Sequence, residues 1–159
     1  MIRFQSVMAL AIWTLICLGA AVVGSRFTTP EIGGWYLALR KPSWNPPNWV
    51  FAPVWTLLYL SMATAAWLVW RRAGISGAKP ALALFILQLA LNVGWSAIFF
   101  RAHRTGLAFA EIIVLWLLIL ATAVAFSAVE RAAAWLMAPY LGWVTFAAAL
   151  NYSIWKLNG

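Results

Sequence analysis

Three sets of residues carry the chemistry this sequence can offer. Gln88, Asn92 and Ser96 recur every fourth residue, with Trp95 beside them, and at helical spacing they share one face. Tyr140, Trp143, Ala147 and Asn151 repeat the pattern near the C-terminus, and Trp55 and Tyr59 make a shorter version of it. Indole and phenol rings supply flat apolar area, and amides supply a few directed hydrogen bonds. A cavity lined this way suits a planar, largely apolar ligand with a few polar edges. The same side chains have a plainer use, as interhelical hydrogen bonds worth about 0.6 kcal/mol each inside a membrane.

The remaining reactive groups are few. Glu111 is the single acid within a long apolar run, and an intramembrane carboxyl raises the question of proton chemistry; pairing with Arg104 or reaching back to the interface are the alternatives. His103, the one histidine, has the ring to ligate a haem iron, but it sits between Arg101 and Arg104, where a solvated loop histidine is the simpler reading. Cys17 stands alone, so it makes no internal disulfide or Cys-rich metal site and reads as a small buried hydrophobe. No cluster with metal-ligand spacing, Ser-His-Asp set, glycine-rich phosphate loop or paired carboxylates is visible, which disfavours hydrolytic and phosphoryl-transfer chemistry and predicts no metal.

The elements that must position these residues follow from composition. Of 159 residues, 65% are hydrophobic and 9% charged, and the mean hydropathy is +0.89. Typical soluble domains are about 45–50% apolar and about 25% charged, so a bilayer must solvate much of this chain. Charges punctuate it into five long runs, between Arg3 and Arg26, Lys41 and Arg71, Lys79 and Arg101, Arg104 and Glu130, and Arg131 and Lys156. Each run reaches the roughly 20 residues needed to cross hydrocarbon as a helix, which predicts spans at about 5–25, 48–70, 80–101, 105–129 and 132–156. The fold class expected is an all-α membrane bundle of five helices, one domain over 1–159, with helices because lipid leaves no partner for an open backbone. The first apolar stretch exceeds a usual signal-peptide core, so it counts as a retained span. No internal repeat supports an inverted-repeat transporter.

Short links make neighbours antiparallel, except across residues 26–47, a long segment holding Gly33-Gly34, Trp35-Tyr36 and Lys41 to Pro47 that reads as a lid or binding loop. The net charge of +8 flanks the spans, which points to lipid head groups rather than nucleic acid. Five bases on one side against six on the other leave orientation undecided. Of the 12 tryptophans, Trp49, Trp67, Trp70, Trp135 and Trp155 suit an interfacial belt, whereas Trp95 and Trp143 fit one less well. Ala20 with Gly24 and Ala138 with Gly142 have the spacing for close helix approach. Leu150, Tyr152 and Lys156 match a loose sterol-contact pattern, one that a basic aromatic helix end also produces by chance.

Trp35-Tyr36, the run Lys41-Pro42-Ser43-Trp44-Asn45-Pro46-Pro47, Trp55 to Tyr59, Gln88 to Ser96 and Pro139 to Trp143 with Leu150-Asn151 together resemble the TspO/MBR family of tryptophan-rich sensory and translocator proteins, in order and over nearly the whole chain. The resemblance implies a five-helix bundle whose pocket is closed by the first loop. It also implies binding of protoporphyrin IX, haem and, in some members, cholesterol and benzodiazepine-type drugs. No cofactor is required, the porphyrin being ligand or substrate; a homodimer in a bacterial membrane is expected. By position, Trp35, Trp55 and Trp143 would line the pocket with Tyr59, Asn92 and Ala147, with Trp44 in the lid, and Gln88, Trp95 and Tyr140 join them as ligand-binding candidates. Trp35 and Trp143 are the redox candidates for a light- and oxygen-dependent porphyrin oxidase, and Arg40 or Lys41 is expected to meet a ligand carboxylate. Three functions follow, in order of preference: a binding and sensing protein, that oxidase, and a transporter of porphyrin or sterol for which Glu111 is the single coupling candidate.

Overall fold

The computed structural model describes residues 2–159, with side chains from Phe4 onward, so the side chain of Arg3 lies outside it. The helices are α1 (Ile2–Ile32), a short α2 (Trp35–Ala38), α3 (Phe51–Gly77), α4 (Lys79–Ser96), α5 (Thr105–Ser127) and α6 (Arg131–Asn158). Five of them are long and apolar enough to cross a membrane, and no strand occurs among the described residues. The protein is a multi-pass integral membrane protein.

Two spans outrun their sequence-based boundaries. The first was expected to end at 25 and the second at 70, yet α1 continues to Ile32 and α3 to Gly77. Charges mark where hydrocarbon stops, not where helical hydrogen bonding stops. Glycine then interrupts each helix: Gly33-Gly34 follow α1, and Gly74 kinks α3 ahead of its final residues at φ 68°, a positive φ that only glycine takes cheaply. The long connection is accordingly shorter than read, spanning 33–50, and contains α2 and a 3₁₀ turn at Asn48–Val50.

The long helices pack as a ring in the order α1, α3, α6, α5, α4 and back to α1. At one end lie the α2 loop, the turn around His103 and the end of α6. The half of the bundle away from this end is solid. Phe85 is fully buried there, stacked on Phe126 (centroids 5.8 Å apart, 21° between planes) and met edge-on by Trp13 at 5.8 Å. Ala63, Ala65 and Ala66 on α3 let neighbouring backbones approach. Two hydrogen bonds tie helices there: the Trp67 indole donates to the Ser6 carbonyl at 2.9 Å and the Ser61 hydroxyl to the Leu136 carbonyl at 2.7 Å. Cys17 is a buried core residue, as read, and Gly24 brings α1 against Ser96 of α4, where an added Cβ would stand 3.5 Å from the hydroxyl oxygen. Ala138 and Gly142 face outward.

Removing a ring from this solid half leaves neighbours without partners. Phe85→Ala is expected to cost about 3 kcal/mol, the low end for core aromatic truncations because lipid rather than water bathes the bundle. Ile86→Ala, at the adjacent outward-facing position, should be near neutral. Thermal unfolding of the two variants in the same detergent checks the contrast.

Candidate functional site

The loop-end half of the ring encloses a cavity of about 420 Å³, within the size range of small-molecule sites. Helix α1 contributes Leu18, Ala21, Gly24 and Thr28; α3 contributes Phe51, Trp55 and Tyr59; α5 contributes Ile112 and Leu115. The α4 side presents Asn92, Trp95 and Ser96, and the α6 side Trp143, Ala147 and Asn151. Tyr36 and Asn48 reach it from the long connection. The wall opens between α1 and α3, where Val22, Ser25 and Thr29 on one helix and Ala52 and Thr56 on the other line the cavity and are also exposed.

Two of the rings arrive through a local irregularity. After Ser96 the helix widens into a π-turn over Ala97–Arg101, with the Ala102 amide donating to the Ala97 carbonyl at 2.9 Å. The wider turn sends both Phe99 and Phe100 inward. Phe99 stacks on Trp95 (5.0 Å, 23°), and both phenylalanines pack against Tyr36 of α2. Such turns often mark functional sites. Nothing in the sequence announced this one, so both phenylalanines were missed. The α1 face was missed as well, although Ala21, Gly24, Ser25 and Thr28 form a small and hydroxyl-bearing stripe that could have revealed it.

The amides expected to orient a ligand are engaged within the protein. The Tyr59 hydroxyl donates to Asn92 Oδ1 at 2.6 Å, and Asn92 Nδ2 donates to the Tyr140 hydroxyl at 2.9 Å. The Trp95 indole donates to Asn151 Oδ1 at 3.0 Å, and Asn151 Nδ2 donates to the Thr105 carbonyl at 2.8 Å. Interhelical bonding and cavity lining, alternatives in the sequence, are both true of these residues. One buried donor on the wall has no partner among the described residues: Trp143 Nε1 makes no hydrogen bond.

Six of the ten ligand-site candidates stand on the wall: Trp55, Tyr59, Asn92, Trp95, Trp143 and Ala147. The other four stand behind or beside it. Tyr140 is fully buried behind Trp55, whose ring it meets at 6.1 Å. Gln88 is fully buried against Met62, with Oε1 unpartnered. Trp44 is one ring removed, meeting Phe146 at 5.7 Å, which in turn meets Trp143 at 5.2 Å. Trp35 lies flat on His103 (4.1 Å, 14°), and His103 Nε2 is 2.9 Å from Glu31 Oε2. His103 is therefore a link between the end of α1, α2 and the α4–α5 turn, held at φ 54°.

The sterol pattern divides across α6, because residues two and six apart do not share a face. Leu150 is buried at the cavity, whereas Tyr152 is exposed beside Phe109 and Lys156 lies over the Trp155 ring at 4.5 Å. Glu111 points both carboxyl oxygens into buried space without a partner, so the pairing with Arg104 is not made. Trp13 and Trp116, without a sequence-based role, pack on Phe85 and donate to Thr145 Oγ1 at 2.8 Å, respectively.

The loop bases do not reach the cavity, which corrects the expectation for Arg40 and Lys41. Lys41 Nζ donates to the Leu37 and Leu39 carbonyls at 3.2 and 3.0 Å and sits over the Tyr36 ring at 4.7 Å. Desolvation in this setting lowers the Lys41 pKa from its usual value, and burial raises that of the Tyr36 phenol. The Arg40 peptide is clamped by Asn158, with Arg40 N donating to Oδ1 and Nδ2 donating to Arg40 O, both at 2.9 Å. These lysine and asparagine contacts hold the connection against the bundle. Among the described residues no charged side chain lines the cavity.

Asn92 holds the two phenols together. Asn92→Leu is expected to cost about 1–3 kcal/mol, because the fully buried Tyr140 hydroxyl loses its donor. Adding Tyr140→Phe should cost less than the sum of the two single changes, since they break one network. Thermal unfolding of the double-mutant cycle measures the shortfall.

Comparison with known proteins matches a model of the TspO/MBR family to residues 13–156. The chain is similar to the tryptophan-rich protein TspO of Chlorobaculum tepidum, 40% identical over 158 residues that cover 97% of this chain and 98% of that one. It is also similar to the translocator protein of Homo sapiens, 44% identical over 138 residues and covering 86% and 82% of the two chains. The tryptophan-rich sensory protein of Cereibacter sphaeroides is 40% identical over 149 residues, 92% of each.

Proposed function

The chain belongs to the TspO/MBR family, and from that premise we propose that it is a membrane receptor or sensor that takes a tetrapyrrole, protoporphyrin IX or haem, into its cavity. The observation that carries this reading is the wall itself. Trp55, Trp95 and Trp143 line the cavity from three different helices, and the Trp143 indole N–H is a buried donor there without a partner. Rings supply stacking area for a macrocycle, and the buried indole donor takes one acceptor on its edge. The connection over 33–50 acts as the lid, since Tyr36 and Asn48 already reach the cavity and Lys41 and Asn158 secure its path. A relative named as a sensory protein supports signalling over simple storage.

A second reading, light- and oxygen-dependent degradation of the bound porphyrin, draws on the same indoles, which would lie against an excited macrocycle. Trp143 is the redox candidate on the wall. Trp35 acts there only through Phe99, whose ring it meets edge-on at 5.6 Å.

A titration of purified protein with protoporphyrin IX in darkness, read as a Soret-band shift, tests the first reading. Trp143→Ala, which removes stacking area and donor together, should weaken binding about tenfold or more, taking about 1 kcal/mol for each contribution. Trp143→Phe keeps a ring and should weaken it only several-fold. Unchanged affinity in both variants would overturn the assignment of the cavity. Illuminating the same samples tests the second reading: bilin-like product must form over repeated turnovers, and Trp143→Phe must suppress it while binding survives.

A further inference from the structure

The porphyrin reading leaves one problem of charge. Protoporphyrin IX and haem carry two carboxylates on one edge of a flat apolar ring. No cation lines the cavity among the described residues, and Lys41, which sits over the Tyr36 ring, is spent on backbone carbonyls. An unpaired carboxylate taken into an apolar, ring-lined space carries a large desolvation cost. The ring can therefore enter, but its acidic edge must stay at the opening.

That opening lies between α1 and α3. Along α1, Val22 and Thr29 both line it and are exposed. Arg26 falls between them at spacings of four and three residues, which on a helix places it in the same row, at the rim. Arg26 is exposed and forms no ion pair among the described residues. The rest of the rim is uncharged. Ser25 and Thr56 donate their hydroxyls to their own helix, to the Val22 and Ala52 carbonyls at 2.8 Å each, which leaves them as acceptors that give a carboxylate little. A guanidinium on a long stem, by contrast, is suited to bidentate contact with a carboxylate.

We propose that Arg26 is a specificity-determining residue at the cavity mouth, one that receives the acidic edge of a planar ligand seated ring-inward between α1 and α3. The inference rests on the porphyrin reading and adds to it an orientation, an entry side and a chemical preference. The ligand class it selects is a flat apolar ring with an anionic edge, over the same ring without charge. A ligand of that kind is an amphiphile that partitions into the membrane interface, and the mouth faces outward from the bundle between two spans, so it meets the ligand there.

The test compares protoporphyrin IX with its dimethyl ester, which keeps the ring and removes the charge. Both are titrated in darkness, by Soret shift, into the native protein, Arg26→Gln, Arg26→Lys and Arg101→Gln. The last is a control for general loss of positive charge at the same end of the bundle. Arg26→Gln should weaken the diacid about tenfold, the equivalent of about 1.4 kcal/mol, and leave the ester unchanged; ester binding also shows that the variant is folded. Arg26→Lys should restore part of the loss, and Arg101→Gln should leave both ligands as in the native protein. Equal weakening of diacid and ester, no weakening of either, or the same loss in Arg101→Gln would overturn the role of Arg26 and leave the porphyrin reading standing. Binding of neither ligand by the native protein would overturn the porphyrin reading, and this inference with it.

Discussion

Inside hydrocarbon every peptide group must find its partner within its own helix, and this constraint governs everything else in the protein. It leaves the backbone no freedom to shape a site across most of the chain. Nor does the hydrophobic effect press the helices together, because lipid tails solvate leucine as well as another helix does. The bundle is held by what remains: ring against ring, small residues that admit close approach, and a few buried hydrogen bonds. Phe85 with Phe126, Gly24 against Ser96, and the Tyr59–Asn92–Tyr140 network are the three kinds.

The site follows from where those devices run out. In the half around Phe85 the rings meet and fill the space. In the other half Trp55, Trp95 and Trp143 stand around space instead, while the Asn92 and Asn151 amides are satisfied by their neighbours. A wall whose buried asparagines are already paired can stay apolar without strain, and the one buried indole N–H left without a partner is then a directed feature. Backbone freedom returns only at the helix ends. The π-turn at Ala97–Arg101, the glycines after α1 and the left-handed His103 all lie at the loop end, where departures from regular helix can be compensated by other groups.

The first connection shows how an irregular segment is fixed without regular structure. Asn158 reads the Arg40 peptide as a strand partner would, Lys41 gathers two carbonyls, and Trp35 lies on His103. Trp35, which the family resemblance offered to the ligand, and Lys41, a loop base, thus serve the position of the loop. The tryptophans divide in the same way. Trp49 and Trp135 face outward, consistent with an interfacial belt, Trp13 fills core and Trp116 bonds Thr145, and three indoles serve the cavity wall.

Readable from the sequence alone were the number of spans, their helical form, the charges that flank them and the helix faces that carry Trp55, Tyr59, Asn92, Trp95, Trp143 and Ala147. Each depends on composition or on local periodicity, which a linear chain displays directly. Which of those faces meet a cavity and which meet each other is settled by the packing of the helices in three dimensions. Gln88 and Asn92 share a face, yet one is sealed against Met62 and the other stands at the wall, because depth along the bundle separates them. Leu150 and Lys156 belong to one pattern yet face opposite surroundings. Phe99 and Phe100 owe their direction to one widened turn. Depth, packing partner and turn width are relations between segments distant in the chain, and spacing along one segment carries no record of them.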